Sequence, residues 1–230
     1  ICEDRGKLIK ETDIMLGTII NKLKEHDILE NTLIVFTSDN GAMPDPVSFA
    51  NGHLPNGDLS GCKGMILEGG TRVPYIVSYP AKLKTTGVEN DLRIGLIDWF
   101  GSVISLISEE YENYSDFLDS EDLSGLYLEE TTPDRNRALI TDGWNKPIGK
   151  IKPHPITKGK RKFFHAVYHD NRKLIINKST GQPEYLYDLE KDPGEKINLI
   201  EENPGLTSDL LEKYKNSLES VPERSETDFN

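Results

Sequence analysis

The chain has 230 residues and a net charge of −12, with 36% hydrophobic and 29% charged residues. That composition belongs to a folded globular protein of one large domain, or a large one with an appendage, and excludes a disordered chain. The acidic excess argues against a nucleic-acid binder with a general basic face, and no apolar run approaches the ~20 residues of a membrane-spanning helix.

The sequence begins at Ile1 with no targeting segment to read; a processed product, one chain of a split protein or a truncated chain would all begin this way. Cys2 and Cys62 are too few for a disulfide framework and lack metal-site spacing. Over residues 7–25, Leu8, Ile9, Met15, Leu16, Ile19, Ile20 and Leu23 recur at three- and four-residue spacing, which predicts an amphipathic helix with one buried face. Glu3 and Asp4 near its start and Lys22 and Lys24 near its end suit the helix dipole. The apolar run 33–36 predicts a strand buried on both faces of a sheet.

Residues 41–70 form a long segment rich in Gly, Pro, Asn and Asp, a length uncommon without function or disorder. A second strand is expected in "RVPYIVSYP", a helix over 93–107, and a third strand over 137–142 after an acidic, irregular stretch at 109–136. A basic loop over 150–162 follows. Then "FFHAVYHD", "RKLIINK" and "EYLYDL", separated by turn residues, predict an antiparallel meander. Asn203-Pro204 starts a final helix striped by Leu206, Leu210, Leu211, Tyr214 and Leu218. The expected fold is α/β: part of a large mixed sheet flanked by helices over residues 1–145, then a small antiparallel sheet with one helix over 146–230.

Candidate chemistry lies in the long segment. Asp39 and Asn40 end the first strand, where ligands bind in open α/β sheets, and their oxygens suit a hard cation such as Ca²⁺ or Mg²⁺. Asp-Asn-Gly is equally good turn chemistry, and two oxygens fall short of the ~6–8 that Ca²⁺ takes. About two dozen residues later, Lys63 stands among glycines in "GCKGMILEGGTRVP", a compact positive charge able to contact a tetrahedral oxyanion or simply a solvated lysine. His53 could reach a substrate from the same segment, or be solvated. The run Lys150, Lys152, Lys158, Lys160, Arg161 and Lys162 could attract a polyanion, or form a solvated face. His165 and His169 alternate in a strand, so a shared sheet face suits them better than a metal. Tyr185, Tyr187, Phe163 and Phe164 read as core. Asn113-Tyr114-Ser115 and Asn177-Lys178-Ser179 permit glycosylation, a match that arises readily by chance.

"NTLIVFTSDNG", "GCKGMILEGGTRVPYIVSYP" and "YLYDLEKDPGEKINL", in this order and spacing, resemble the C-terminal part of a type I sulfatase of the alkaline-phosphatase superfamily. The similarity runs from about Thr12 to Leu218. The resemblance implies Asp39 and Asn40 as metal ligands, most often for Ca²⁺, and Lys63 as a sulfate-binding catalytic residue. Glu68, Gly69, Gly70, Arg72 and Pro74 would shape the loop. Tyr187-Asp188-Leu189 and Asp192-Pro193 would anchor the small subdomain to the large one. Cys62 stands where the family commonly has glycine, and Gly101-Ser102 where it has Pro-Thr. Cys2 is followed by Glu-Asp-Arg and Cys62 by Lys-Gly-Met, so neither fits the Cys- or Ser-x-Pro-x-Arg motif that yields the family's formylglycine nucleophile.

The expectation is therefore a fragment of a sulfatase, inactive alone and prone to aggregate, its formylglycine in an N-terminal half. Its partners would be a sulfate ester, with a sulfated glycan as one option, and that half; the residues leave its compartment open, and the family resemblance implies a periplasmic, secreted or lysosomal one. A non-catalytic sulfatase-like module, or a phosphate or phosphonate ester hydrolase of the same superfamily, remains as the alternative.

Overall fold

A computed structural model describes residues 3–43, 46–108, 120–128, 137–146 and 154–219. Cys2, the sequon at Asn113, Lys150 and Lys152 lie outside them. The elements in chain order are α1 (Glu3–Glu25), β1 (Ile34–Thr37), α2 (Pro46–Ala50), α3 (Glu68–Thr71), β2 (Tyr75–Ser78), α4 (Asp98–Ile107), α5 (Ser124–Tyr127), β3 (Leu139–Trp144), β4 (Phe163–His169), β5 (Arg172–Asn177), β6 (Pro183–Asp188) and α6 (Pro204–Glu219). The fold is mixed α/β, with β1 and β2 paired antiparallel and β3-β4-β5-β6 in a second, fully antiparallel sheet.

The four-stranded sheet is the best-packed part of the chain, and side-chain alternation explains how it is covered on both faces. Phe164, Ala166, Tyr168, Ile175 and Tyr187 face one way and bury Cys62, Met65, Ile66 and Leu67 of the long Gly-rich segment. Val167, Leu174, Ile176 and Leu186 face the other way and bury Leu210 and Tyr214 of α6. The sheet thus lies between the segment carrying the candidate chemistry and the last helix. His165 belongs to the α6 face, where its Nδ1 meets the Tyr214 hydroxyl at 2.6 Å.

Several expectations need correcting. The strand over 137–142 is β3, which pairs with β4, so the antiparallel sheet starts before residue 146. β1 is half-exposed along its length rather than buried on both faces. The apolar side of α1 is only partly covered: Leu8, Ile9, Met15 and Ile19 are exposed while Leu16, Ile20 and Leu23 are half-buried, because the pattern that makes a helix amphipathic does not supply its cover. The helix expected over 93–107 begins at Asp98, whose Oδ2 accepts the Gly95 N–H at 2.7 Å and fixes the chain just before the first turn. Phe163 is half-exposed rather than core. Asn177 is no open glycosylation acceptor, since its buried amide donates to Glu184 at 2.7 Å and its oxygen accepts the Ser179 N–H at 2.9 Å. At the departure from Pro-Thr, the Gly101 N–H donates to Ser120 Oγ at 2.7 Å, a bond that proline could not make.

Candidate active-site corner

β1 runs into Ser38-Asp39-Asn40-Gly41. Asp39 is exposed and Asn40 half-buried. The Ser38 hydroxyl donates to the Asn40 carbonyl at 3.0 Å, and the Asn40 side-chain amide donates to Asp39 Oδ1. Gly41 is buried, its N–H donating to the Gly70 carbonyl at 3.0 Å. A Cβ at Gly41 would collide with the Gly69 carbonyl oxygen, so only glycine lets the corner lie against α3.

The next residue joins the corner to the rest of the long segment. The Ala42 N–H donates to Asn56 Oδ1 at 2.8 Å, while the Ala42 carbonyl accepts from Asn56 Nδ2 at 3.2 Å and from the Lys63 N–H at 3.3 Å. Asn56 Nδ2 also reaches the Gly61 carbonyl at 3.2 Å. One asparagine therefore clamps two stretches about twenty residues apart, and the backbone of Lys63 is hydrogen-bonded one residue beyond the Asp39–Gly41 turn. Around Lys63 the chain alternates: Cys62 is 1% exposed in the core, Lys63 is exposed, and Gly64, at φ 81°, lies under the Trp144 indole. Buried in this way, Cys62 is a packing residue. His53 sits on the turn after α2 with its N–H on the Ser48 carbonyl at 2.9 Å, and the framework just described runs through Asn56 instead.

The donor set at the corner, one carboxylate and one amide oxygen, has the chemistry of a hard-cation site, and the close Gly41–Gly69 approach holds its backbone. Among the described residues, no group of three or more His, Cys, Asp or Glu is gathered as a metal site. Asp39 and Asn40 can thus supply two of the ~6–8 oxygens that Ca²⁺ takes.

Behind α3 lies a buried ionic cluster that sequence reasoning missed. Glu68, Lys173 and Glu195 are 1%, 0% and 0% exposed. Lys173 Nζ lies 2.7 Å from Glu195 Oε1 and 3.1 Å from Glu68 Oε1, over the Tyr168 ring. Glu195 Oε2 accepts the Glu68 N–H at 2.6 Å, and Arg93 approaches Glu68 Oε2 at 3.6 Å. Burial opposes the charge on Glu68, but Lys173 and Arg93 outweigh it and hold the carboxyl below its ordinary range. Burial pushes the Glu195 carboxyl up to about 6, with Lys173 offsetting it only in part. Burial would also lower Lys173, but Glu195, Tyr168 and Glu68 hold its ammonium above the usual value.

These contacts revise the anchor between the two parts of the chain. Tyr187 and Leu189 do pack on Cys62, Met65, Ile66 and Leu67. Asp188 instead pairs with Arg172 at 2.7 Å, and Asp192 Oδ2 accepts the N–H groups of Lys196 and Ile197 at 2.6 and 2.7 Å, all within the C-terminal part. The polar anchor is Gly194-Glu195: the Gly194 carbonyl accepts the Ser60 hydroxyl at 2.5 Å, and Glu195 holds Glu68. Elsewhere, a polar cleft lined in part by Arg93, Asp98, Glu121 and Arg137 has paired charges, with Arg137 at 2.5 Å from Asp98 and 2.9 Å from Glu121. Of the basic loop, Lys162 pairs with Glu184 at 2.7 Å and the Arg161 guanidinium lies over Trp144 at 4.6 Å.

Residues 2–108 match the Sulfatase family model. An N-acetylgalactosamine-6-O-sulfatase of Bacteroides thetaiotaomicron is 30% identical over 225 residues, covering 92% of this chain and 42% of that protein. Human arylsulfatase A is 30% identical over 224 residues, covering 91% and 41%. The chain spans less than half the length of these curated relatives. A solved structure from a glycosaminoglycan-metabolising locus of Bacteroides thetaiotaomicron superposes with a TM-score of 0.69 at 27% identity, over 96% of this chain and 45% of that one. The phosphonate monoester hydrolase of Agrobacterium radiobacter shares the fold, with a TM-score of 0.59 at 23% identity over 93% and 39%. With its strand-end Asp-Asn-Gly, its glycine-flanked lysine and relatives matched along nearly its whole length, this chain belongs to the sulfatase family.

Proposed function

We propose that this chain contributes part of the active site of a sulfate-ester hydrolase, with Asp39 and Asn40 holding a divalent cation and Lys63 contacting the substrate sulfate. The observation that carries this reading is the Asn56 clamp, which ties the Lys63 backbone to the Ala42 carbonyl beside the Asp39–Gly41 turn. The ammonium of Lys63 donates to sulfate oxygens and neutralises charge as the S–O bond breaks. The carboxylate of Asp39 and the side-chain carbonyl of Asn40 hold Ca²⁺, with Mg²⁺ the alternative, and such an ion would withdraw charge from the same oxygens. Neither cysteine has the neighbours that yield the formylglycine the family uses, so that group would come from a part of the complete protein outside these 230 residues, where it would supply the nucleophile. On this reading the 230 residues alone do not turn over substrate.

An N-acetylgalactosamine-6-O-sulfatase at 30% identity supports a sulfated sugar as the substrate class. His53 is retained as a second substrate contact from the same segment, and the N-terminal half is the macromolecular partner. A second reading, a phosphonate or phosphate ester hydrolase, is supported by the fold shared with the Agrobacterium enzyme.

In the complete protein, Asp39→Ala and Lys63→Ala are each expected to lower kcat for an aryl sulfate by about 10²–10³-fold, the scale of losing one transition-state charge contact. Near-wild-type sulfate release from both variants would defeat the assignment. Faster turnover of a phosphonate monoester than of the aryl sulfate would favour the second reading. Turnover of neither ester by the complete wild-type protein would leave a non-catalytic module.

A further inference from the structure

One polar path from the C-terminal part to the cation corner runs through α3. Gly41 donates to the Gly70 carbonyl, and the turn of helix bearing Gly70 begins at Glu68. Gly69 donates back to the Ser60 carbonyl at 2.7 Å, so this turn also borders the strand of loop leading to Lys63. Besides Arg93, the groups that hold Glu68 come from more than a hundred residues away. Glu195 Oε2 accepts its N–H, and Lys173 bridges the two carboxylates with all three side chains removed from water. Glu195 is itself fixed: its backbone adopts φ 54°, and its carbonyl meets the His154 Nε2 at 2.6 Å. Neighbouring Gly194 is tied to Ser60.

We propose that Glu195 is a positioning residue for the cation corner, acting from the C-terminal part through Glu68 and Gly70 on the backbone of Gly41, and thereby on Asp39 and Asn40. Lys173 keeps the two carboxylates together so that Glu195 can hold the Glu68 N–H. The carboxylate of Glu195 never touches the substrate or the cation. Its effect is geometric: hard-cation sites lose affinity when a supporting shell lets their ligands drift. The C-terminal sheet, on this account, tunes metal binding at a corner it does not reach. This inference rests on the assignment of Asp39 and Asn40 as cation ligands.

The test uses the complete protein, stripped of metal and titrated with Ca²⁺ alone in a calorimeter. Glu195→Ala is expected to weaken Ca²⁺ binding by at least tenfold and to lower kcat for an aryl sulfate while leaving KM within twofold. Glu195→Gln, whose side-chain carbonyl can still accept the Glu68 N–H, is expected to restore most of the affinity. If Glu195→Ala does not fold, Glu195→Asp serves, because its shorter arm withdraws the carboxylate from Glu68; it too should bind Ca²⁺ about tenfold more weakly. Glu184→Gln, which removes a surface ion pair of the same sheet, is the control expected to bind normally. Folded Glu195→Ala or Glu195→Asp protein with wild-type Ca²⁺ affinity, while Asp39→Ala abolishes binding, would overturn this inference and leave the corner assignment intact. Unchanged binding in Asp39→Ala itself would remove the corner assignment, and this inference with it.

Discussion

The two ends of this chain use the same apolar alternation to opposite effect. In the C-terminal sheet, Leu174, Ile175 and Ile176 are fully buried because the Gly-rich segment covers one face and α6 the other. In α1, Leu8 is 63% and Met15 59% exposed, although their spacing is as regular. Periodicity encodes which side of an element is apolar; it does not encode what lies against that side. The tightly covered region is also the one that hides charge, at Glu68, Lys173 and Glu195.

The largest test of this contrast is Lys173→Met. Methionine leaves buried Glu195 without its cation and Glu68 with Arg93 alone at 3.6 Å, and breaking a buried pair in this way costs about 3–5 kcal/mol. Amide exchange across β4, β5 and β6 should accelerate by about 10²-fold or more. Met15→Ala, on the exposed face of α1, should change stability by under ~0.5 kcal/mol. A Lys173→Met protein as protected as wild type would erase the distinction between the two regions.

A smaller effect is expected from pH. Folding raises Glu195 from 4.5 to about 6, so the folded form binds that proton more tightly than the unfolded chain does. The stabilisation from this group is full below pH 4.5 and is lost as pH climbs through about 6, a change on the order of 2 kcal/mol. Glu68 has the opposite sign: its carboxyl is held below 4.5, so its contribution is present above that pH and disappears on further acidification. Between pH 4.5 and 6 the Glu195 slope should dominate, measured as a falling urea midpoint, and Glu195→Gln should flatten it. An identical slope in both proteins would assign the pH dependence to other groups.

How far the sequence carried the structure follows the same division. Helix α1, the meander β4–β6 and the start of α6 at Pro204 were legible because local spacing and turn residues determine them. Asp39, Asn40 and Lys63 stood out through the strand end, the glycines and the family resemblance. The Glu68–Lys173–Glu195 cluster was not legible. Its partners are 105 and 127 residues apart from Glu68, and Lys173 in "RKLIINK" or Glu195 in "KDPGEK" reads locally as a solvated charge. Lys173 betrays itself only through parity: it shares the face of Ile175, and that face packs on the Gly-rich segment. Asn56 was similarly hidden, since an asparagine in a Gly- and Pro-rich stretch looks like turn chemistry until its two bonds to Ala42 are known.

The smallest expected change in stability comes from the open face of α1, and it separates stability from association. Leu8, Ile9, Met15 and Ile19 lie on one helix with little contact to the rest of the described chain, so their apolar area stays in water. Exposed contiguous patches of this kind drive proteins together, and expressed as these 230 residues the chain is expected to self-associate. Replacing all four with glutamine keeps a good helix former at each position while removing the patch. Sedimentation velocity should then show a shift from associated species toward monomer, with the exchange protection of β4–β6 unchanged. A wild-type chain that sediments as monomer at every concentration would mean that α1 tolerates its exposure. The contrast between the two regions would then be one of packing alone, with no bearing on how the chain associates.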